Sequence, residues 1–209
     1  MPPPPHDYLP GKHQFRDAAT GRLVRRREVK QEIDKLIRHI KEKAKTYAEQ
    51  VDSGQITPAE FEIEMRELLK SGHIIAASVG RGGRERMNQS DWGWVGSKIK
   101  WQYGYLRKFT DKVIKGKVKS PVTPARAQKY ASSIYISFYQ TVARDNQESG
   151  SKDKVLVKRV LNAKESCPDC RHYAAKGYIP VSEQPLLGEL SCGDFCRCDL
   201  VFKNEPETE

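Results

Sequence analysis

Apolar residues between positions 27 and 51 recur at steps of three and four, which is the spacing of one face of an amphipathic α-helix. We therefore predict a helix over residues 27–51. A second helix is predicted over residues 58–79, because Thr57 can cap it and Glu60 completes a capping box. Gly54 lies in the short turn between them, so the two helices are expected to run antiparallel.

A third helix is predicted from Asp91 to just before Gly116, and it carries all three tryptophans. Its apolar residues line two faces, so we expect it to lie in the middle of a helix bundle. Trp101 and Tyr105 are then core residues, since a base-stacking platform would need them exposed. Its glycines are expected to let neighbouring helices approach closely; they are Gly93, Gly96 and Gly104. A last long helix is predicted over residues 124–146.

The polar, glycine-containing segment after residue 148 indicates a boundary, and "KVLVKRVL" beyond it is typical of a short strand. The sequence therefore predicts a mainly α fold, an N-terminal helical bundle with a small cysteine-rich C-terminal knuckle of strands and turns. The expected parts are a flexible basic arm (1–26), a helical domain (27–148), a linker (149–155), the cysteine-rich knuckle (156–203) and an acidic tail (204–209).

The net charge of +10 is concentrated in the first 150 residues, which hold 28 basic and 17 acidic side chains against 9 and 10 in residues 151–209. Such an excess attracts polyanions, double-stranded DNA among them, although many of these charges are also expected on an ordinary solvated surface. The candidate phosphate contacts are Arg22, Arg25, Arg26, Arg27, Arg81, Arg84 and Arg86. No apolar run approaches the roughly 18 residues of a membrane span. No secretory signal core is recognised, so we expect folding in a reducing cytoplasm.

All five cysteines lie in the last fifth of the chain, as a C-x2-C pair at 167–170 and a C-x3-C-x-C group at 192–198. Two close-set groups joined by a loop of about twenty residues are typical of a tetrahedral Zn²⁺ site. Four protein ligands leave no open position, so we expect a structural metal. Cys167 and Cys170 are the firmest ligands, and His172 is an outside candidate. The competitors for the remaining corners are Cys192, Cys196 and Cys198.

Two other roles for the cysteines stay open at this point. Disulfides would leave one cysteine unpaired and would need an oxidising compartment. A redox or nucleophilic thiol would need a C-x-x-C at the start of a helix, or a histidine base. Irregular sequence is expected between the two cysteine groups, which does not favour this role.

The cysteine-rich tail resembles the C-terminal signature of the Mu F-like family of phage head morphogenesis proteins, the minor head proteins. The matching positions are Cys167, Cys170, Pro185, Gly188, Cys196, Arg197, Cys198 and Leu200. Many members carry a histidine just before the Cys-Arg-Cys, where this chain has Cys192 and "GDF", so the resemblance implies that a thiolate takes the imidazole's place. It also implies a virion head component that contacts portal or capsid proteins, present in the host cytoplasm during assembly.

We therefore expect a structural protein of a phage or prophage head, acting in head assembly or DNA packaging, without a small-molecule substrate. A cellular zinc-containing nucleic-acid-binding regulator is an alternative, although no recognition element is apparent in the sequence. A toxin-like nuclease or transferase is another, but we find no catalytic constellation and expect no enzyme. The mid-chain His73 is interpreted as a structural histidine.

Overall fold

The computed structural model describes residues 6–9, 14–17, 19–118, 120, 122–148, 155–193 and 196–204. The fold is mainly α-helical with a few short strands, as the sequence predicts. Its helices are α1 (Arg26–Asp52), α2 (Pro58–Arg81), α3 (Gln89–Ile114), α4 (Val122–Ser132), α5 (Ile134–Glu148) and α6 (Pro168–Ala175), with a 3-10 turn at Arg84–Arg86. Its strands are β1 (His6–Leu9), β2 (Gln14–Asp17), β3 (Leu23–Val24), β4 (Val155–Val160), β5 (Tyr178–Pro180) and β6 (Asp199–Asn204).

The first two helices begin and end close to their predicted limits. The capping box at the start of α2 is confirmed, because the Thr57 hydroxyl accepts a hydrogen bond from the Glu60 backbone N–H at 3.2 Å and the Glu60 carboxylate accepts one from the Thr57 N–H at 2.7 Å. Gly82 ends α2 in the left-handed conformation that favours glycine, with φ 81°. Local signals alone thus define these two helices.

Helix α2 is the central helix of the bundle and packs against α1, α3 and α5. Its contact with α5 is close because of Gly80, where an added Cβ would collide with the Thr141 hydroxyl and the Phe138 carbonyl oxygen. At Gly72 an added Cβ would lie 2.5 Å from Cδ1 of Ile134. The close helix approach predicted for the glycines of α3 therefore occurs on α2.

Helix α3 lies at the side of the bundle and not in its middle, so the prediction for it is wrong. It buries Val95, Leu106 and Phe109, whereas Trp101 is 62% exposed and Tyr105 42% exposed. Its glycines face open space, with no atom within 4 Å of an added Cβ at Gly93, Gly96 or Gly104. The reason is that α3 packs mainly against α2, and its second apolar face has no comparable neighbour in the described part of the chain.

The predicted last helix is two helices, α4 and α5, which meet at Ser133. The Ser133 hydroxyl and backbone N–H both donate to the carbonyl of Tyr130, at 2.7 and 3.2 Å, so local side-chain bonding competes with continuation of the helix. The break lets α4 pack against α1 while α5 packs against α2. One straight helix would not follow both partners.

The N-terminal segment differs from the predicted flexible arm. Strands β1, β2 and β3 form an antiparallel sheet, with Phe15 opposite Val24. Phe15 is 2% exposed and Val24 5% exposed, and both belong to the buried cluster that contains Val29 of α1. These two apolar side chains anchor the basic segment to the helical body.

The cysteine-rich part continues the core of the helical body. Its antiparallel sheet has the strand order β5-β4-β6, and Arg159 of β4 lies opposite Leu200 of β6. One buried cluster joins helices and knuckle, and it includes Ile33, Val142, Val157, Cys170 and Leu200. Of the predicted linker (149–155) and acidic tail (204–209), residues 149–154 and 205–209 lie outside the described residues, whereas Val155 begins β4 and Asn204 ends β6. Among the helices that are described, none combines the length and apolar character needed to span a bilayer.

Candidate metal centre

The five cysteines converge on one place, between β4, α6 and the segment that leads into β6. All five are free thiols. The Sγ atom of Cys170 lies 3.6 Å from that of Cys192 and 3.9 Å from that of Cys196. Two triplets each have all sulfurs within 4.8 Å of one another, and both contain Cys170; they are Cys167, Cys170 and Cys192, and Cys170, Cys196 and Cys198. Cys170 is therefore the centre of the cluster.

Helix α6 sets the position of the first cysteine pair. Cys167 is its N-cap residue, and its Sγ atom accepts a hydrogen bond from the Cys170 backbone N–H at 3.3 Å. Pro168 occupies the first helical position, which its fixed φ suits. The expectation of turns and strands without helix in this interval is therefore wrong, because the C-x-x-C motif itself starts the eight-residue helix Pro168–Ala175.

A turn before β6 carries the second cysteine group to the first. The Asp169 carboxylate accepts a hydrogen bond from the Ser191 backbone N–H at 3.1 Å and so joins α6 to this turn. Gly193 has a φ of 51°, and its carbonyl accepts from the Cys196 N–H at 3.1 Å. The glycine thus accommodates the positive φ directly after Cys192.

Arg159 is a functional candidate that sequence reasoning missed. It is 1% exposed, and its Nη1 atom lies 3.6 Å from Sγ of Cys170 and 3.7 Å from Sγ of Cys196. Its Nη2 atom donates to the Pro185 carbonyl. The available signal was the two-residue alternation of β4, which puts Arg159 on the same buried face as Val155 and Val157. The positive charge of Arg159 stabilises the thiolate form of Cys196.

The thiols influence one another's ionisation. A hydrogen bond from Cys198 is the largest influence on Cys196, and with the nearby Arg159 it lowers the pKa of Cys196 to about 5 despite burial. Burial raises the pKa of Cys192 and the Cys196 thiolate raises it further; the same thiolate, with burial, raises the pKa of Cys198. Burial would also raise the pKa of Cys167, but hydrogen bonds led by the Cys170 backbone N–H lower it to about 7. Cys196 and Cys167 are therefore the most readily ionised of the five, and a bound cation would favour ionisation of the others.

The spacing of the sulfurs fits a metal ion. Sulfurs at the corners of a tetrahedron around Zn²⁺ lie about 3.8 Å apart, given Zn–S bonds of about 2.3 Å, whereas a disulfide joins sulfurs at about 2.0 Å. The observed separations of 3.6 and 3.9 Å match the tetrahedral spacing. His172 is exposed, packs edge-on against the Tyr173 ring and belongs to neither triplet. The cluster can therefore bind a metal ion through thiolates alone.

The arginines predicted as phosphate contacts lie on separate elements. Arg22 is exposed and pairs with Glu28 at 2.8 Å, and both Arg25 and Arg27 are exposed at the start of α1. The Arg26 side chain lies outside the described part of the chain. This end of α1 therefore presents exposed positive charge.

The other three predicted arginines surround the C-terminal end of α2. Arg81 is 5% exposed, and its Nε atom lies 2.9 Å from the Asp91 carboxylate. Arg86 pairs with Asp145 at 3.5 Å, whereas Arg84 is exposed and stacks over the Trp92 ring at 5.4 Å. Arg81 is thus a buried ion-pair partner, and the proposal of a phosphate contact at this residue does not fit the structure.

Comparison of the chain with family models, with curated proteins and with solved structures found no match in any of the three. The functional interpretation therefore rests on the residues and their geometry.

Proposed function

We propose that the cysteine cluster binds one structural Zn²⁺ ion and that the chain is a non-enzymatic component of a phage head, a minor head protein. The observation that carries the zinc proposal is the arrangement around Cys170, with two sulfurs at 3.6 and 3.9 Å. Tetrahedral thiolate sites without an open position are structural. The ion would join α6 to the turn before β6 and so hold the knuckle against the helical body.

The geometry also favours particular ligands. Cys170 belongs to both triplets, and Cys192 and Cys196 are its close neighbours. Cys192 and Cys196 belong to different triplets, so Cys170 is the one ligand common to both, and three of the other four cysteines complete the site. One of those four cysteines is then a second-choice ligand whose removal is tolerated better.

Metal analysis of protein purified under reducing conditions tests the zinc proposal. We expect one equivalent of zinc, and we expect Cys170→Ser to lose it. As a matched control, Ser166→Ala changes a neighbouring residue without removing a thiol and should retain the metal. Single serine variants of the other four cysteines identify the spare one, because one of them should keep more zinc than the rest. A zinc content far below one equivalent in the unaltered protein, or a disulfide found by intact mass, would overturn the proposal.

Thiol redox chemistry is the competing role, and one observation favours it. Cys167 caps the N-terminus of α6, and its pKa is lowered to about 7, both of which are features of reactive thiols. Alkylation kinetics separate the two roles. Thiols that hold zinc should react slowly until a chelator is added, whereas a redox pair should react fast at Cys167 with or without chelator.

The proposal of a phage head protein is supported by the resemblance of the tail to the minor head protein family. The residues that carry it are the C-x-x-C at the start of α6 and the Cys-Arg-Cys that leads directly into the partly apolar strand β6. The expected partners are portal or capsid proteins. Mass spectrometry of purified particles from a host that carries this gene tests the proposal. If the protein is absent from the particles but present in the cell extract, a cellular regulator is favoured instead.

A further inference from the structure

Two aromatic side chains of α3 are exposed side by side. Trp101 is 62% exposed and Tyr105 42% exposed, and their ring centroids lie 6.3 Å apart at an interplanar angle of 57°. They are four residues apart on one helix face. Burying a large aromatic ring is strongly favourable, so two neighbouring rings left in solvent indicate a surface that something else covers.

Positive charges lie near the Tyr105 ring. Lys108 lies one turn further along α3, with its Nζ atom 6.0 Å from the Tyr105 ring centroid. Arg126 and Lys129 of α4 line a groove of about 410 Å³ together with Tyr105. Among the residues that the structure describes, none of these three cations has a recorded ion pair with a carboxylate, and the Arg126 guanidinium lies over the Phe109 ring at 5.0 Å. Their charge is therefore available to a ligand.

The groove continues across α4 towards the cysteine cluster. A second groove, of about 420 Å³, shares Lys129 with the first and is lined further along by Lys41 and Arg197. The acidic residue in its lining, Asp199, lies 3.7 Å from Lys30. A row of cations therefore extends from the exposed Tyr105 ring along one side of the molecule.

We propose that the α3–α4 face, defined by Trp101, Tyr105, Lys108, Arg126 and Lys129, binds single-stranded nucleic acid. Unpaired bases stack on the two rings, and the phosphates between them contact the cations along the groove. Proteins that bind single strands without sequence preference combine these two features, because every base has a π-face and every linkage carries a negative charge. In a duplex the bases are already stacked on one another, so the rings contribute only when the strand is single. This binding site does not depend on the zinc ion or on a place in the virion.

The charges also favour nucleic acid over a protein partner. Lysine is depleted from the buried part of protein–protein interfaces, since its strongly hydrated ammonium is costly to desolvate. Here Lys108 lies 6.0 Å from the exposed Tyr105 ring, and Lys129 lines the same groove as Tyr105. A phosphodiester backbone uses such cations without complete desolvation.

Fluorescence anisotropy with a labelled oligothymidylate, longer than the roughly 4–16 nucleotides that such a site covers, tests the proposal. We expect binding at low salt and a roughly fivefold to hundredfold weaker affinity for Trp101→Ala, given what stacking on one aromatic ring contributes. Ile63→Ala is the matched control, because Ile63 is 60% exposed on α2 and lies outside the α3–α4 face. This variant should bind as tightly as the unaltered protein.

Salt dependence tests the phosphate contacts separately. Lys129→Ala should reduce the slope of log affinity against log salt by about 0.7, the contribution of one contact to a single strand. Lys43→Ala should leave the slope unchanged, since Lys43 is exposed on α1 and lies about 200° around that helix from Lys41. Each variant is first checked by circular dichroism and thermal melting, and Trp101→Phe, which keeps a ring, should restore most of the affinity.

Three results would overturn the proposal. The first is the absence of binding to the oligothymidylate at low salt. The second is tighter binding to a duplex of the same length than to the single strand. The third is an equal loss of affinity for Trp101→Ala and Ile63→Ala, which would show that the exposed rings are not stacked on bases.

Discussion

A buried histidine makes the stability of this protein depend on pH in a predictable direction. His73 of α2 is 1% exposed; its Nδ1 atom lies 2.7 Å from the Ser137 hydroxyl and its Nε2 atom 3.3 Å from that of Ser133. Burial, with a smaller contribution from the positive charge of Lys98, lowers the pKa of His73 from 6.5 to about 4. The folded protein therefore keeps this imidazole neutral in a pH range where the unfolded chain protonates it.

The size of the effect follows from that difference in pKa. The stability contributed by neutral His73 is fully present above pH 6.5 and is lost as the pH falls towards 4, because in that window the unfolded state binds the extra proton. Each pKa unit corresponds to about 1.4 kcal/mol, so the full loss is about 3 kcal/mol. Roughly 2 kcal/mol of it should already be lost at about pH 5.

Urea unfolding of the unaltered protein and of His73→Gln, each at neutral pH and at about pH 5, measures the stability that His73 loses on acidification. Glutamine keeps a donor and an acceptor for the two serines but does not titrate, so the variant should lose about 2 kcal/mol less than the unaltered protein on acidification. The difference between the proteins cancels contributions from carboxylates and from the metal. His39→Gln, at an exposed position of α1, is the control and should behave like the unaltered protein. An equal pH dependence in the unaltered protein and His73→Gln would refute this reasoning.

Three further predictions follow from packing, charge and metal. Gly80→Ala should destabilise the fold by about 2 kcal/mol or more, since the added Cβ would collide with the backbone and a side chain of α5. Gly96→Ala, in open space on α3, should stabilise the fold by about 0.5–1 kcal/mol. Chemical denaturation compares the two variants. Arg81→Ala should cost about 3 kcal/mol or more because it leaves the fully buried Asp91 with less compensation, and an unchanged melting temperature would contradict this. Adding a strong zinc chelator should lower the melting temperature of the unaltered protein but not that of Cys170→Ser, and identical shifts would contradict a metal at the cluster.

The candidate site is only partly predictable from the sequence. The five cysteines and their two-group spacing are local facts, and they are sufficient to indicate a shared site. The contribution of Arg159 is not predictable in this way, because the strand pattern shows only that the residue points inward and not that thiols lie on that side. The sequence analysis does not predict the helix Pro168–Ala175 either, although the proline at its first position is a helix-start signal.

The sequence by itself determined the elements that depend on neighbours along the chain. The limits of α1 and α2, the capping box at Thr57 and the grouping of the cysteines follow from periodicity and short spacing, which act over a few residues. Only the tertiary structure decided which apolar faces are covered: α2 became the central helix, and Trp101 was left exposed. It also buried Arg81 among carboxylates. The physical reason is that a side chain is buried only where another helix or strand packs over it. That helix or strand is usually distant in the sequence, so local patterns do not identify it.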